Sequence, residues 1–178
     1  MKRLARDQAN KLFDRYWDGL RQEWFKLEVL QDYTSEDDGP SLRAWLSGDK
    51  QKALEALESD DNLEFSRMCQ QKLAEGVKLL RIHVLEEPLT PYMIWELEFY
   101  RKISIPRRGE SVLVIDKSEI GDLNLPVGDL MIFDQKFVVV NDYENSRMTH
   151  QTFYGPRDDL SHFLALRKAL KSRARPLL

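Results

Sequence analysis

The chain has 178 residues, of which 42% are hydrophobic, 10% aromatic and 32% charged, with a formal net charge of −3. This length and apolar fraction are enough for one domain with a sizeable core. The near-neutral charge does not predict a nucleic-acid binder, although a basic patch can exist within a balanced total. A single cysteine, Cys69, excludes an internal disulfide and, with three well-separated histidines, argues against a zinc site. We therefore expect neither a metal nor a cofactor.

The first residues, MKRLARD, are charged and lack the apolar core of a signal peptide. No run of the sequence approaches the roughly 18 apolar residues that a membrane span requires. We predict a cytoplasmic protein without a membrane-spanning segment.

The first part of the chain has a helical pattern. Large apolar residues recur at spacings of three and four across residues 10–28, which predicts a helix with one aromatic face. That face carries Phe13, Tyr16, Trp17, Leu20, Trp24 and Leu27. A core face is the favoured interpretation, and a partner-binding face is the alternative.

Three shorter helices are predicted before residue 76. They are separated from their surroundings by polar breaks at residues 33–40 and 59–62. Ser41 and Asp49 are candidate N-caps of the first two, and the third runs from about Leu63 to Gly76.

After Gly76 the pattern changes to apolar, β-prone segments. Five strands are predicted, at residues 79–85, 111–116, 130–133, 137–143 and 148–154. The polar break Asp134-Gln135-Lys136 indicates a hairpin between the third and fourth strands, and Asn145-Ser146 indicates the next turn. A helix that begins at Pro91 and is capped by Thr90 is inserted after the first strand, and a further helix closes the chain.

This order of elements predicts an α+β fold in a single domain, residues 1–178, with a helical part (1–76) and a sheet part (77–178). We expect N-terminal helices followed by a mainly antiparallel five-stranded sheet, with one inserted helix and a C-terminal helix. The helices would cover one face of the sheet and leave the other open.

Candidate binding residues lie near the end of the first predicted strand. Arg81 and His83 share a face, because side chains of a strand repeat every two residues. Glu87 follows where the strand gives way to a helix start, and Asp142 lies on another predicted strand. A solvated surface with weak ion pairs is the favoured interpretation. The alternative is a polar ligand site at this end of the sheet.

Motifs of common enzyme classes are absent from the sequence, which has no glycine-rich phosphate loop, no nucleophile elbow and no His-Glu-x-x-His. No catalytic residue is therefore assigned. Arg107 and Arg108, with basic residues between 168 and 175, are a candidate phosphate-binding patch, but the interleaved aromatic residues of single-strand binders are missing.

Three segments, read with this order of elements, resemble a protein family of unknown function. They are WFKLE at 24–28 with LRAWLSG at 42–48, RIHVLEEPLTPY at 81–92 with WEL at 95–97, and LMIFD at 130–134. The family comprises small bacterial α+β proteins, mainly from actinomycetes, that are often encoded beside Xre-type helix-turn-helix regulators. The resemblance covers roughly residues 18–165 and implies neither an activity nor a catalytic residue.

We hypothesise a non-catalytic cytoplasmic interaction or regulatory-accessory protein. Its partner would be a protein, such as a helix-turn-helix regulator, that contacts the open sheet face or the aromatic N-terminal helix. The alternative is a small enzyme, with RNA as one candidate substrate and its site at the polar end of the sheet. Nucleic-acid binding is less favoured. An exposed apolar patch would support the first hypothesis, and a concave pocket with convergent titratable groups the second.

Overall fold

The computed structural model describes residues 1–35, 39–57, 60–126 and 128–178. Parts of the two predicted polar breaks, residues 36–38 and residue 59, lie outside these ranges. Within them, the helices are α1 (Arg6–Gly19), α2 (Pro40–Leu46), α3 (Lys50–Ala56), α4 (Asp60–Ala74), α5 (Pro91–Phe99) and α6 (Ser161–Arg173). The strands are β1 (Lys2–Ala5), β2 (Glu23–Glu28), β3 (Lys78–Leu85), β4 (Ser111–Asp116), β5 (Leu130–Phe133), β6 (Phe137–Glu144), β7 (Arg147–Tyr154) and β8 (Arg175–Pro176). No helix of these ranges is long and apolar enough to cross a membrane.

The eight strands form one mixed sheet in the order β1-β7-β6-β5-β2-β3-β4-β8. The pairs β2–β3 and β3–β4 are parallel, and the other pairs are antiparallel. The predicted five-stranded, mainly antiparallel sheet with one inserted helix is therefore wrong. The five predicted strands exist, but β1, β2 and β8 were missed. The parallel pairs arise because helical crossovers connect β2 to β3 and β3 to β4.

Strand β2 is where the local pattern misleads most. The helix predicted over residues 10–28 ends at Gly19, and Glu23–Glu28 form a strand. Trp24 and Leu27 fit a helical spacing, yet in β2 they face opposite sides of the sheet, Trp24 toward α1 and Leu27 toward α6. Strand β2 lies between β5 and β3, so its backbone N–H and C=O groups form hydrogen bonds on both sides. The free energy gained from this pairing outweighs the helix propensity of the segment.

Helices cover both faces of the sheet. On one face, Leu166 and Leu170 of α6 pack against the apolar side chains of β2, β3 and β5. On the other, α1 and α4 pack against β2, β3 and β5–β7, and α5 packs against β3 and β4. The aromatic face of α1 is part of this core, because Trp17 is buried and Tyr16 packs edge-on against Phe133. The aromatic face of α1 is therefore mainly a core face, which was the favoured interpretation, although Phe13 and Tyr16 are half-buried. The expected open sheet face is covered by helices.

The predicted hairpin between β5 and β6 is confirmed, and it also anchors the start of β2. Asp134 and Gln135 adopt left-handed backbone conformations, with φ of 51° and 58°. The Asp134 carboxylate accepts hydrogen bonds from the backbone N–H groups of residues 21–23, at 2.9, 2.6 and 3.1 Å. One side chain at the hairpin tip thus satisfies three donors at the point where the chain leaves α1 and enters the sheet.

Replacing Asp134 with Ala should lower the free energy of unfolding by about 2 kcal/mol, because three backbone donors lose a charged acceptor and recover only part of it from water. Urea unfolding measures this. Gln135→Ala is the matched control, since that position has the same left-handed backbone, and it should change stability by less than about 0.5 kcal/mol. Equal losses in the two variants would show that the carboxylate does not anchor β2.

Candidate ligand-binding site

A cavity of about 580 Å³ lies between the sheet and the helices α1–α5. Its floor consists of strand residues: Trp24, Lys26, Glu28, Arg81 and Met131. Its walls consist mainly of helix residues: Phe13, Ser41, Ala56, Leu57, Phe65, Tyr92, Trp95, Glu96, Phe99 and Arg108. This volume is typical of small-molecule sites. The lining combines aromatic rings with five charged side chains, which is unusual for a space that only packs a core.

Strand register explains why charged side chains meet on the cavity floor. In the parallel β2–β3 pair, Lys26 is opposite Arg81 and Glu28 is opposite His83. Alternate residues of paired strands point to the same side of a sheet. Because α5 covers this side, Glu28 is 5%, Arg81 4% and His83 0% exposed.

Helix α5 forms the wall above this floor, and its start agrees with the sequence prediction. Thr90 caps it by accepting from Met93 N–H at 3.0 Å, and the Thr90 hydroxyl donates to the Gln31 carbonyl at 2.6 Å. The Trp95 indole Nε1–H donates to Ser41 Oγ at 2.9 Å. These bonds fix α5 to the loop after β2 and to α2, and so hold the buried Glu96 over the cavity.

Arg81 is the centre of a buried ion cluster. Its Nη1 donates to Glu28 Oε2 at 2.6 Å and its Nε donates to Glu110 Oε2 at 2.7 Å. Lys26 Nζ lies 2.5 Å from the other Glu28 oxygen. Burial alone would raise the pKa of Glu28, but the charges of Arg81 and Lys26 outweigh it and hold that pKa well below its ordinary value. The charged form of Glu28 is therefore favoured in the folded protein.

His83 lies beside this cluster with both ring nitrogens engaged. Nε2 is 3.0 Å from the Leu30 carbonyl, and Nδ1 is 2.7 Å from the Tyr100 hydroxyl. The same hydroxyl donates to Glu28 Oε2 at 2.7 Å. Burial lowers the pKa of His83 more than the Glu28 charge raises it. Because the Leu30 carbonyl can only accept, Nε2 carries the proton of the neutral ring, and the Tyr100 hydroxyl, which has one proton, donates to either Nδ1 or Glu28 Oε2 at a time. Both ring nitrogens face a protein partner, and neither is directed at a ligand.

Glu96 is the carboxyl group of the cavity lining whose pKa lies nearest to neutral pH. Its Oε2 accepts from the Tyr92 hydroxyl at 2.7 Å. Burial, reinforced by the nearby Glu28 charge, raises the pKa of Glu96 to about 7. The charge of the lining therefore changes by one in the physiological range of pH.

A second chamber of about 360 Å³ adjoins the first and shares Phe13, Lys26, Glu28, Tyr92 and Met131 with it. Asp129 lies in it and accepts from the hydroxyls of Tyr33 at 2.6 Å and Tyr143 at 2.7 Å. Burial, followed by the charge of Glu28, raises the pKa of Asp129. A side chain at Gly128 would place its Cβ 1.8 Å from the Asn141 carbonyl oxygen, so this glycine permits the close approach that positions Asp129.

The structure brings together two of the four binding residues proposed from the sequence. Arg81 and His83 both lie against Glu28, and they are buried rather than on the solvated face that the pattern favoured. Glu87 is exposed, and its carboxylate accepts from Leu89 N–H at 3.1 Å. Asp142 bonds to Arg3 at 3.0 Å, with 40% of its side chain exposed. Neither of these two lines the cavity.

Other cavity residues were missed. Glu28 fell within the mistaken helix, whereas Glu96 had a readable signal, since it is a single acid within the apolar run Tyr92–Leu97. Of the candidate basic patch, Arg108 is buried in the cavity wall, and Lys171, Arg173 and Arg175 pair with acidic side chains, so phosphate binding there stays a prediction. The described residues contain no group of three or more His, Cys, Asp or Glu side chains placed to hold a metal ion.

Replacing Arg81 with Met should lower the free energy of unfolding by about 3–5 kcal/mol, because Glu28 and Glu110 would be left buried without their shared cation. Arg3→Ala is the matched control. It removes an arginine from an exposed ion pair with Asp142 and should cost less than about 1 kcal/mol. Denaturant midpoints decide, and a small effect of Arg81→Met would mean that the cluster is hydrated rather than buried.

Glu96 should make stability depend on pH. A folded-state pKa near 7, above the ordinary 4.5, contributes stability that is fully present below pH 4.5 and is lost as the pH rises through 7. Relative to Glu96→Gln, the wild-type chain should therefore lose roughly 3 kcal/mol between pH 4.5 and 8, at about 1.4 kcal/mol per pH unit. Urea unfolding of both proteins across this range tests it. Parallel stability curves would contradict the assigned pKa.

The chain is similar to one protein family and to solved structures. No curated protein matches the sequence. Among solved structures, the chain is similar to TrmBL2, an archaeal chromatin protein whose structure is described as showing a novel mode of DNA binding, with 14% identity and a TM-score of 0.46. The match covers 98% of this chain but 55% of that one, so the chain spans about half of that protein's length. Residues 11–178 match a family described as a domain of unknown function, DUF6879. The expected membership of a family of unknown function is confirmed, while bacterial origin and neighbouring regulators stay predictions. The chain belongs to the DUF6879 family.

Proposed function

We propose that this chain is a non-catalytic regulatory-accessory protein that binds a small polar molecule in the cavity beneath α5. The observation that carries the proposal is the cavity itself, about 580 Å³ of space with aromatic walls and a charged floor. Burying ions in a folding core is unfavourable compared with apolar packing. Binding of a polar ligand would explain why these charged side chains are buried, whereas a contribution to stability would not.

The hydrogen-bond pattern supports binding over chemistry. Arg81 is committed to two carboxylates, and His83 is committed to Tyr100 and Leu30. Groups held this firmly make a preorganised wall, which lowers the cost of ordering a ligand. A general base or nucleophile needs a lone pair directed at a substrate, and His83 has none to spare.

The partner in this proposal is a helix-turn-helix regulator, to which the protein would report the presence of ligand. This part rests on the family resemblance alone. Helices cover both faces of the sheet, and most of the aromatic side of α1 is in the core, so little of either surface is left for this contact. The large exposed apolar side chains of the helices, Leu46, Met68 and Ile94, lie on three different helices.

An enzyme is the second candidate, and Glu96 is the observation that favours it. A carboxyl group with a pKa near 7 inside a cavity is suited to general acid–base catalysis at neutral pH. In this alternative a bound compound would be converted, and Glu96→Gln would keep binding but lose turnover.

A screen of metabolites by thermal unfolding, followed by calorimetry, tests the proposed function. Ala56 lines the cavity, and Ala56→Phe should fill part of it and abolish the stabilisation that a bound compound gives to the wild type. Ala74→Phe, at an exposed position of α4, is the matched control and should retain the response. Mass spectrometry should recover the compound unchanged.

Two outcomes would contradict the proposal. If no compound stabilises the wild type, or if Ala56→Phe responds equally, the cavity is not a ligand site. If the compound is converted, and Glu96→Gln prevents this, the enzyme alternative replaces the non-catalytic one.

A further inference from the structure

We infer that the ligand of the cavity is an organic ammonium compound, whose cationic group lies in the second chamber against the Asp129 carboxylate. This inference rests on the proposed function and names its ligand class. It is carried by a buried carboxylate whose partners are all uncharged, by an acceptor position that the protein leaves open, and by the aromatic rings around the chamber.

Asp129 is a buried carboxylate with only neutral partners. It is 1% exposed and lines the second chamber. Its carboxylate accepts from the backbone N–H of Val29 at 3.1 Å and from the hydroxyls of Tyr33 and Tyr143 at 2.6 and 2.7 Å. No cationic side chain of the described residues lies within ion-pair distance of it. A carboxylate taken out of water without a cation is unfavourable, and an ammonium group would compensate its charge.

Lys26, a cation of the same lining, is committed elsewhere. In the described part of the chain, the charged side chains that line the second chamber are Lys26, Glu28 and Asp129, whereas Glu96 and Arg108 lie outside it. Lys26 Nζ lies 2.5 Å from Glu28 Oε1, so its charge is used by the ion cluster of the cavity floor. Burial, followed by the charge of Glu28, raises the pKa of Asp129, and an incoming cation would oppose both effects.

The Asp129 carboxylate also has an acceptor position to spare. An ionised carboxylate offers about four lone-pair positions for hydrogen bonds. Oδ1 accepts two bonds, from Val29 and Tyr33, whereas Oδ2 accepts one, from Tyr143. No further donor to Oδ2 is found among the described residues. The N–H of an ammonium group is such a donor, and its bond to a carboxylate is charge-assisted and therefore strong.

Aromatic rings surround this carboxylate. The second chamber is lined by Phe13, Tyr33, Tyr92 and Tyr143. The ring centre of Tyr33 lies 5.7 Å from those of both Tyr92 and Tyr143, so the three rings are adjacent. The face of an aromatic ring attracts a cation, and groups of rings recognise ammonium ligands in this way. Phe13 and Tyr92 also line the larger chamber, which leaves room there for the apolar body of the ligand.

Three probes test the inference on the full chain at pH 7.5, by calorimetry. They are 2-phenylethylammonium, 2-phenylethanol and 3-phenylpropanoate, which share a phenylethyl body and end in a cation, a neutral hydroxyl and an anion. The ammonium probe should bind at least tenfold more tightly than the alcohol, because it alone brings a positive charge to Asp129. The carboxylate probe should bind more weakly than the alcohol or not at all.

Asp129→Asn should weaken binding of the ammonium probe at least tenfold and leave that of the alcohol within about twofold, since asparagine keeps the shape of the side chain but not its charge. Asp122→Asn is the matched control. Asp122 pairs with Arg173, 63% of its side chain is exposed, and it lines neither chamber. This variant should bind the probes as the wild type does. An unchanged ammonium affinity in Asp129→Asn would overturn the inference.

If Asp129→Asn does not fold by circular dichroism, a surface variant decides instead. Asn10 of α1 is exposed and lines the second chamber. At low ionic strength, Asn10→Lys should weaken the ammonium probe several-fold by charge repulsion and leave the alcohol unchanged. Gln8→Lys adds the same charge at an exposed position of α1 outside the chamber lining and is the matched control. Equal losses in the two variants, or no loss in Asn10→Lys, would contradict the inference.

Binding of the alcohol or the carboxylate probe as tightly as the ammonium probe would overturn the ligand class and leave the proposed function standing. Failure of all three probes would also overturn the inference. The metabolite screen with Ala56→Phe then decides the proposed function separately.

Discussion

The bridge that Arg81 makes between Glu28 and Glu110 is the interaction on which the helix-covered side of the sheet depends. One guanidinium joins β2, β3 and the residue that precedes β4. Removing any one of three buried charges leaves its partners uncompensated, so the three are stable only together. Glu28 contacts three further side chains, those of Tyr100, Lys26 and His83.

This cluster also explains why a cavity persists in a core that is otherwise rich in aromatic side chains. An apolar floor would allow the rings of α1, α4 and α5 to close onto the strands and exclude the space. The charged groups remain fixed by their mutual bonds, and rings that approached them would gain little. A floor of this kind costs stability relative to an apolar core, and it supplies the preorganised polar surface that the proposed binding site requires.

Sequence patterns predicted the features that depend on local interactions. The β5–β6 hairpin, the Thr90 cap of α5 and the five predicted strands follow from turn chemistry, capping and alternation, all of which act over a few residues. Strand β2 did not, because Trp24 and Leu27 suit either period and only the neighbouring strands decide between them. The short edge strands β1 and β8 likewise owe their form to their partners.

In the candidate site too, features set by local interactions were predicted and features set by tertiary contacts were not. Arg81 and His83 were correctly placed on one face because parity along a strand is local. Whether that face is buried depends on where α5 lies, and the sequence pattern favoured solvent. Asp142 was grouped with them although the order of the strands was not known. In the structure it lies on β6 and pairs with Arg3 of β1, across the intervening strand β7. Glu28 was not identified as a site residue, because the sequence pattern assigned it to a helix and not to strand β2.

If the ion cluster serves binding and not stability, replacing it as a whole should leave the fold intact. The free energy of unfolding of the quadruple variant Lys26→Met, Glu28→Gln, Arg81→Met, Glu110→Gln tests this most directly, because it removes the two cations and the two carboxylates together. We expect a value within about 1 kcal/mol of the wild type, or a gain, since no member of the cluster is then left buried without its partner. A loss of more than about 3 kcal/mol would contradict this and would assign the cluster to the fold itself.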